Sequence, residues 1–331
     1  MEASPLAQAG TIGKETAVRK GLVFLLVVLV QLAAGASPLK VMLDFLPNPN
    51  HIPLYAAQVQ GFFSEEGIEV EIMPPADPSD PAKLAAARVV DLALTPQMNY
   101  LIAKAAGLSL ISVGALIDGA LGGLLSLADF GIEELSDLRG RKVGYSLAPL
   151  EPVLWRTMLS TVGVKPGEFE LVNVGMSTVP ALLSGKVDAI GAFRNFELIK
   201  VELLGKKAVF FPQEDYGVPN TYEILIVANP ELLQERGREV RGFLTALARG
   251  IAFTLERPEA AFGAFLSLYP DRDDELHRRS FAATLPLYAE GARHDDADRW
   301  AGMQDFLYQN GLVDRTFPLE ELYTTEFLSP P

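Results

Sequence analysis

The chain has 331 residues, 49% of them hydrophobic and 21% charged, with 28 Lys and Arg set against 42 Asp and Glu for a formal charge of −14. This is ordinary globular composition with apolar mass for one large or two medium cores, and its acidity weighs against binding a phosphate backbone, which rests on Lys and Arg. With no cysteine and three histidines, His51, His277 and His294, thiolate catalysis, disulfides, cysteine-held metals and a lipid-modified cysteine are excluded, and no paired-histidine spacing points to a metal or cofactor.

The first segment reads as an export signal. Lys14, Arg19 and Lys20 precede the apolar run GLVFLLVVLVQL, and the small residues Ala34, Gly35 and Ala36 follow it. A spanning helix needs about 20 apolar residues, and this run is shorter. Residues 1–36 are therefore expected to be a cleaved signal peptide rather than an anchor, leaving a soluble extracytoplasmic protein.

From Leu39 onward short β-like runs alternate with helical patterns, the rhythm of an α/β protein with mostly parallel strands. The expected strands are 40–46, 68–73, 90–95 and 109–116, with helices at 53–63, 82–89 and 98–107. A second set repeats the rhythm: strands at 141–146, 170–174, 187–193 and 208–211, with helices at 153–162, 179–183 and 195–204. The runs 122–129 and 221–229 are placed to carry the chain out of the first lobe and back, and everything after Pro230 is helical. The expected fold is two α/β lobes, a discontinuous one of residues 38–125 and 221–331 and a second of residues 126–220, with a ligand cleft between them and two crossing segments. Ligands of open α/β sheets sit beyond the C-terminal strand ends, so the residues just after each strand are the candidates.

The first strand is followed by DFLPNPNH, residues 44–51, a rigid turn whose Asn48 and Asn50 offer amides and whose Phe45 can stack on a flat ligand. Gln97 follows the third strand at a helix N-terminus, where an amide and free N–H groups suit either a cap or a ligand. In the second lobe Ser146 and Glu151 hold the equivalent position, again as cap or as ligand groups. The sharpest cluster is GAFRNFE, residues 191–197, which brings Phe193, Arg194, Asn195 and Glu197 to one cleft edge; an aromatic beside a carboxylate suits an aminated heteroaromatic ring. There is no GxSxG, no P-loop and no GxGxxG after a strand. His277 and His294 read as solvated surface positions, and the acidic run at 294–298 as a solvated helix start rather than a calcium loop.

These segments resemble the thiamine-precursor pyrimidine-binding proteins of bacterial ABC importers, which share their fold with fungal pyrimidine synthases. The resemblance rests on LDFLPNPNH, PLYAAQVQGFFSEEGIEVEI, PADPSDPAKL, VDLALTPQ, LRGRKVGYS, LVNVG, PALLSGKVDAIGAF, NFELI, EDYGVP and TTEFL, and covers nearly all of the chain after the leader. It implies a type II periplasmic-binding fold, a monomer that captures a formylaminopyrimidine or hydroxymethylpyrimidine, and delivery to a permease with its ATPase; it implies no enzyme activity and no nucleic-acid partner. Carried over by position, Phe45, Asn48, Asn50 and His51 form one wall, Ser146, Glu151, Asn195 and Glu197 the other, and Tyr222 and Glu223 approach the hinge. Phe45, Asn50 and Arg194 depart from the family pattern, which has Trp, Asp and Trp there. Arg194 favours an anionic substituent, which keeps open a sulfonate, nitrate or other aromatic nitrogen ligand. The synthases of the family need a cysteine-rich iron-binding segment and a lysine before a Val-Asp pair; this chain has no cysteine and carries Val89 at that place.

Overall fold

The computed structural model describes Met1 and residues 37–329. The expected signal peptide, residues 1–36, lies outside the described residues except for Met1.

Two five-stranded sheets form the scaffold. The first contains β1 (Leu39–Met42), β2 (Val70–Met73), β3 (Leu92–Thr95), β4 (Ile111–Asp118) and β10 (Tyr222–Ala228), in the order β2-β1-β3-β10-β4. The second contains β5 (Gly122–Leu127), β6 (Lys142–Tyr145), β7 (Glu170–Asn173), β8 (Ala189–Phe193) and β9 (Ala208–Pro212), in the order β7-β6-β8-β5-β9. Four strands of each sheet run in the same direction, and the fourth in spatial order, β10 or β5, is antiparallel to both neighbours. Each antiparallel strand is the one that has just crossed from the other sheet. The central strands β3, β5 and β10 are buried along their whole length, which is why they read as unbroken apolar runs instead of alternating ones.

This topology moves one expected boundary. The strand Gly122–Leu127 pairs with β8 and β9 along its length, so it lies in the second sheet from its first residue and the chain crosses at residues 119–121. Glycine is needed at Gly123 because a Cβ there would run into the Phe211 carbonyl of β9. The second crossing leads into β10, which pairs with β3 and β4 of the first sheet.

The C-terminal helices cover the first sheet. Helix Pro230–Glu256 is capped by Asn229, whose side chain accepts from Glu231 N–H at 2.9 Å, a cap worth about 1 kcal/mol. Its Gly250 lets it lie directly on the helix Ile52–Val59, since a Cβ would meet the Pro53 carbonyl. Helix Ala297–Gln309 packs Trp300 edge-on to Tyr100 of helix Gln97–Ala105.

Two histidine expectations are overturned here. His277 is buried, with its backbone N–H donating to Asp274 at the helix start. His294 is fully buried among Tyr222, Trp300 and Tyr323. The charged flanks DELHRRS and RHDDAD suggest solvent, but helix geometry turns the one imidazole inward from a polar face and the aromatic cluster encloses the other. Burial pulls the His294 imidazole down to about 4. The neighbouring acidic run does begin a helix: Asp296 accepts from Arg299 N–H at 3.1 Å.

Candidate functional site

The loop after β1 is built around His51. Its Nδ1 accepts from Asn48 N–H at 3.3 Å and its Nε2 lies 2.8 Å from Asp44 Oδ1. Because a backbone N–H can only donate, the Nε2 nitrogen must carry the proton in the neutral ring and give it to the carboxylate. Asn48 in turn accepts from Asn50 N–H at 2.8 Å as the cap of a short 3-10 turn, and Tyr288 OH donates to Pro49 O at 2.6 Å. His51 is fully enclosed, so its part is to hold the loop. What the loop presents outward is Phe45, 39% exposed, and Leu46.

In the second lobe the loop after β6 and the end of β8 form one carboxylate-lined edge. Glu151 accepts from Ser146 N–H at 2.7 Å and from Ser146 OH at 3.0 Å. Glu197 accepts from Phe193 N–H at 2.9 Å. Burial pushes both carboxyls upward, and for Glu197 the Glu151 charge adds to the rise. Gly191 is glycine because a Cβ there would run into the Trp155 ring and crowd the Glu151 carboxyl. Phe193, 41% exposed, stands at the rim, with exposed Leu147 and Met176 after β6 and β7.

The two lobes meet at Asn195. Its Nδ2 donates to Asn50 Oδ1 and to Thr284 Oγ1, both at 2.8 Å, and the residue is 1% exposed. Beside it Arg194 forms an ion pair with Glu214 and lies over the Phe210 ring, while its backbone N–H donates to Leu121 O at 2.9 Å. Leu121 N–H donates to Glu223 Oε2 at 2.9 Å, so this one crossing residue links Arg194 to Glu223. Burial raises the Glu223 carboxyl to about 7, with Asp44 and Glu214 adding to the rise and Arg194 opposing it.

The structure joins Asn50 to Asn195 across the lobes, holds Glu197 on Phe193 N–H and Glu151 on Ser146, and ties Asn48 to His51 behind the loop that carries Phe45. Gln97 is buried, its Oε1 accepting from Thr221 Oγ1 at 2.9 Å and Tyr222 N–H at 3.1 Å, and its Nε2 has no partner. Two placements differ from expectation. Tyr222 packs under helix Ala297–Gln309, its hydroxyl accepting from Asp296 N–H at 3.0 Å and Arg299 lying over its ring. A register shift in β10 falls between Tyr222 and Ile224; such a bulge re-aims the residue within it, and Glu223 is the one whose carboxyl joins the junction. Arg194 is already neutralised by Glu214, so its charge is not free for an anion. Sequence reasoning missed Glu214 and Thr284, because each acts only through a partner distant in the chain; Leu147 and Met176 were detectable as apolar residues following strands. Two surface hollows, one beside Arg238 and Arg241 and one beside Leu255 and Glu256, include none of these strand-end residues.

Residues 48–261 match the family described as NMT1/THI5 like. The chain is 40% identical to a Haemophilus influenzae protein named for thiamine biosynthesis, over 86% of this chain and 90% of that one. It is 30% identical to a 4-amino-5-hydroxymethyl-2-methylpyrimidine phosphate synthase of Legionella pneumophila, over 88% and 92%. It is 27% identical to the formylaminopyrimidine-binding protein of Halalkalibacterium halodurans, over 86% and 89%. Among solved structures, the periplasmic aliphatic sulphonate binding protein SsuA from Escherichia coli matches with a TM-score of 0.69 at 16% identity, over 86% of this chain and 91% of that one. At that identity the match establishes the fold, two α/β lobes with a cleft and two crossing segments.

Proposed function

Since the chain belongs to the NMT1/THI5-like family and has the periplasmic-binding fold, we propose that it is the extracytoplasmic solute-binding component of an ABC importer, closing over an aminopyrimidine thiamine precursor of the formylaminopyrimidine or hydroxymethylpyrimidine type. The observation that supports this reading is the presence, at strand ends of the two lobes, of two part-exposed aromatics, Phe45 and Phe193, and two carboxyls, Glu151 and Glu197, whose affinity for protons is raised by burial. A flat ring between the aromatics buries its faces. The carboxyls accept from a ring N–H and an exocyclic amine in a desolvated setting, where each such bond counts for more than in water. Asn195, already hydrogen-bonded across the junction to Asn50 and Thr284, is suited to register closure. The permease and its ATPase would receive the closed form, and the expected export signal fits that location.

A second reading, synthesis of the pyrimidine phosphate, draws on the Legionella relative. The donor set argues against it: the chain has no cysteine, and Val89 occupies the place at which the family resemblance puts a lysine. Titration calorimetry with hydroxymethylpyrimidine and formylaminopyrimidine, together with mass spectrometry of the recovered ligand, tests the proposal. One-to-one binding with the ligand returned unaltered is expected. Product formation, or no binding of either compound, would overturn it.

A further inference from the structure

We propose that the junction between the lobes selects against anions, so that the cleft takes a neutral or protonated aminopyrimidine and rejects its phosphate ester, with Glu214 and Glu223 as the specificity-determining residues. The choice of pyrimidine probe rests on the function proposed above; the selection against anions rests on the charges themselves. Asp44 and Glu223 come from the first lobe, and Arg194 and Glu214 from the second. The charges of Asp44, Arg194 and Glu214 all act on the Glu223 carboxyl. Glu151 and Glu197 line the adjoining edge, where Lys200 is exposed. Among the charges named, Arg194 is the cation acting on Glu223, and Glu214 already pairs with it. Of the unpartnered buried polar atoms here, Gln97 Nε2 and Asn195 Oδ1 are neutral, while Arg194 Nε and Glu214 Oε2 belong to the two members of the ion pair, so the only charge of either sign among them is already matched by its opposite. A phosphate ester would bring between one and two negative charges into this setting, and like charges brought together during binding suppress the wrong ligand. The sulfonate-binding fold neighbour shows that this architecture can hold an anion; in this chain Glu214 closes that option.

Calorimetric affinities for 4-amino-5-hydroxymethyl-2-methylpyrimidine and its phosphate ester, measured on the wild type, Glu214→Gln and the double variant Arg194→Gln/Glu214→Gln, test the proposal. The wild type is expected to bind the ester at least about 100-fold more weakly. Freeing the guanidinium in Glu214→Gln should narrow the ratio about tenfold or more, and the double variant should restore it. Ester binding within about threefold of the alcohol in the wild type, or an unchanged ratio in Glu214→Gln, would overturn the proposal. If Glu214→Gln does not fold, Glu223→Gln lowers the negative charge without touching the ion pair, and an unchanged ratio there is equally fatal. Should the wild type bind neither pyrimidine, the ligand assignment fails by itself. Ethanesulfonate and inorganic phosphate then decide the selection: binding by the wild type, or none by Glu214→Gln, refutes it.

Discussion

Replacing Glu223 with Gln removes a buried carboxyl whose proton affinity is raised by the fold. Glu223 is 6% exposed, receives one backbone hydrogen bond from Leu121, and feels the charges of Asp44, Glu214 and Arg194. Its carboxyl moves from an ordinary value of 4.5 to about 7. A group whose folded value lies above its unfolded one favours the folded state at low pH, and that contribution disappears as pH rises through the folded value. For this group the loss runs between about pH 4.5 and pH 7 and amounts to roughly 3 kcal/mol. Gln keeps an oxygen for Leu121 N–H but carries no charge, so the variant lacks that loss. Glu151 and Glu197 act in the same direction and His294 in the opposite one, so the measured quantity is the difference between variant and wild type. Thermal denaturation followed by circular dichroism at pH 5 and pH 8 should show Glu223→Gln gaining on the wild type by about 5 °C between the two pH values. Parallel pH profiles for the two proteins would refute the burial argument.

Three other outcomes follow from the site. Phe45→Ala and Phe193→Ala should each weaken pyrimidine binding about three- to tenfold, from the loss of ~0.5–1.5 kcal/mol of ring stacking, while urea unfolding stays near wild type because both rings are part-exposed. Asn195→Ala removes donors to Asn50 and Thr284 and should cost about 2 kcal/mol in urea unfolding, with a matching loss of ligand affinity. Tyr222→Phe loses the contact with Asp296 N–H and should lower stability by about 1 kcal/mol without changing ligand affinity; a calorimetric loss of affinity would return Tyr222 to the binding wall.

Much of the architecture was legible because strands and helices are set by local pattern. The alternating rhythm located β1 to β4, β6 to β9 and β10 to within a few residues, and strand-end position singled out Phe45, Phe193, Glu151 and Glu197 as candidates. The turn chemistry of LPNPNH was legible too, as Asn48 caps the short 3-10 turn it was expected to hold. What misled was charge context. His277 and His294 sit in charged stretches but are buried, since flanking charges can stay at the surface while a ring turns inward. Arg194 looked like an anion receptor until Glu214, from the loop after β9, was found beside it.

From sequence alone came the α/β rhythm, the paired crossing runs, the lack of thiol chemistry and the strand-end loops, all properties of neighbours along the chain. Tertiary structure decided the sheet to which Gly122–Leu127 belongs, the enclosure of His294, the diversion of Tyr222 away from the junction and the pairing of Arg194 with Glu214. Each of these depends on a partner brought close only by folding. Burial and Coulomb energy are set by distance in space, and a sequence records distance along the chain.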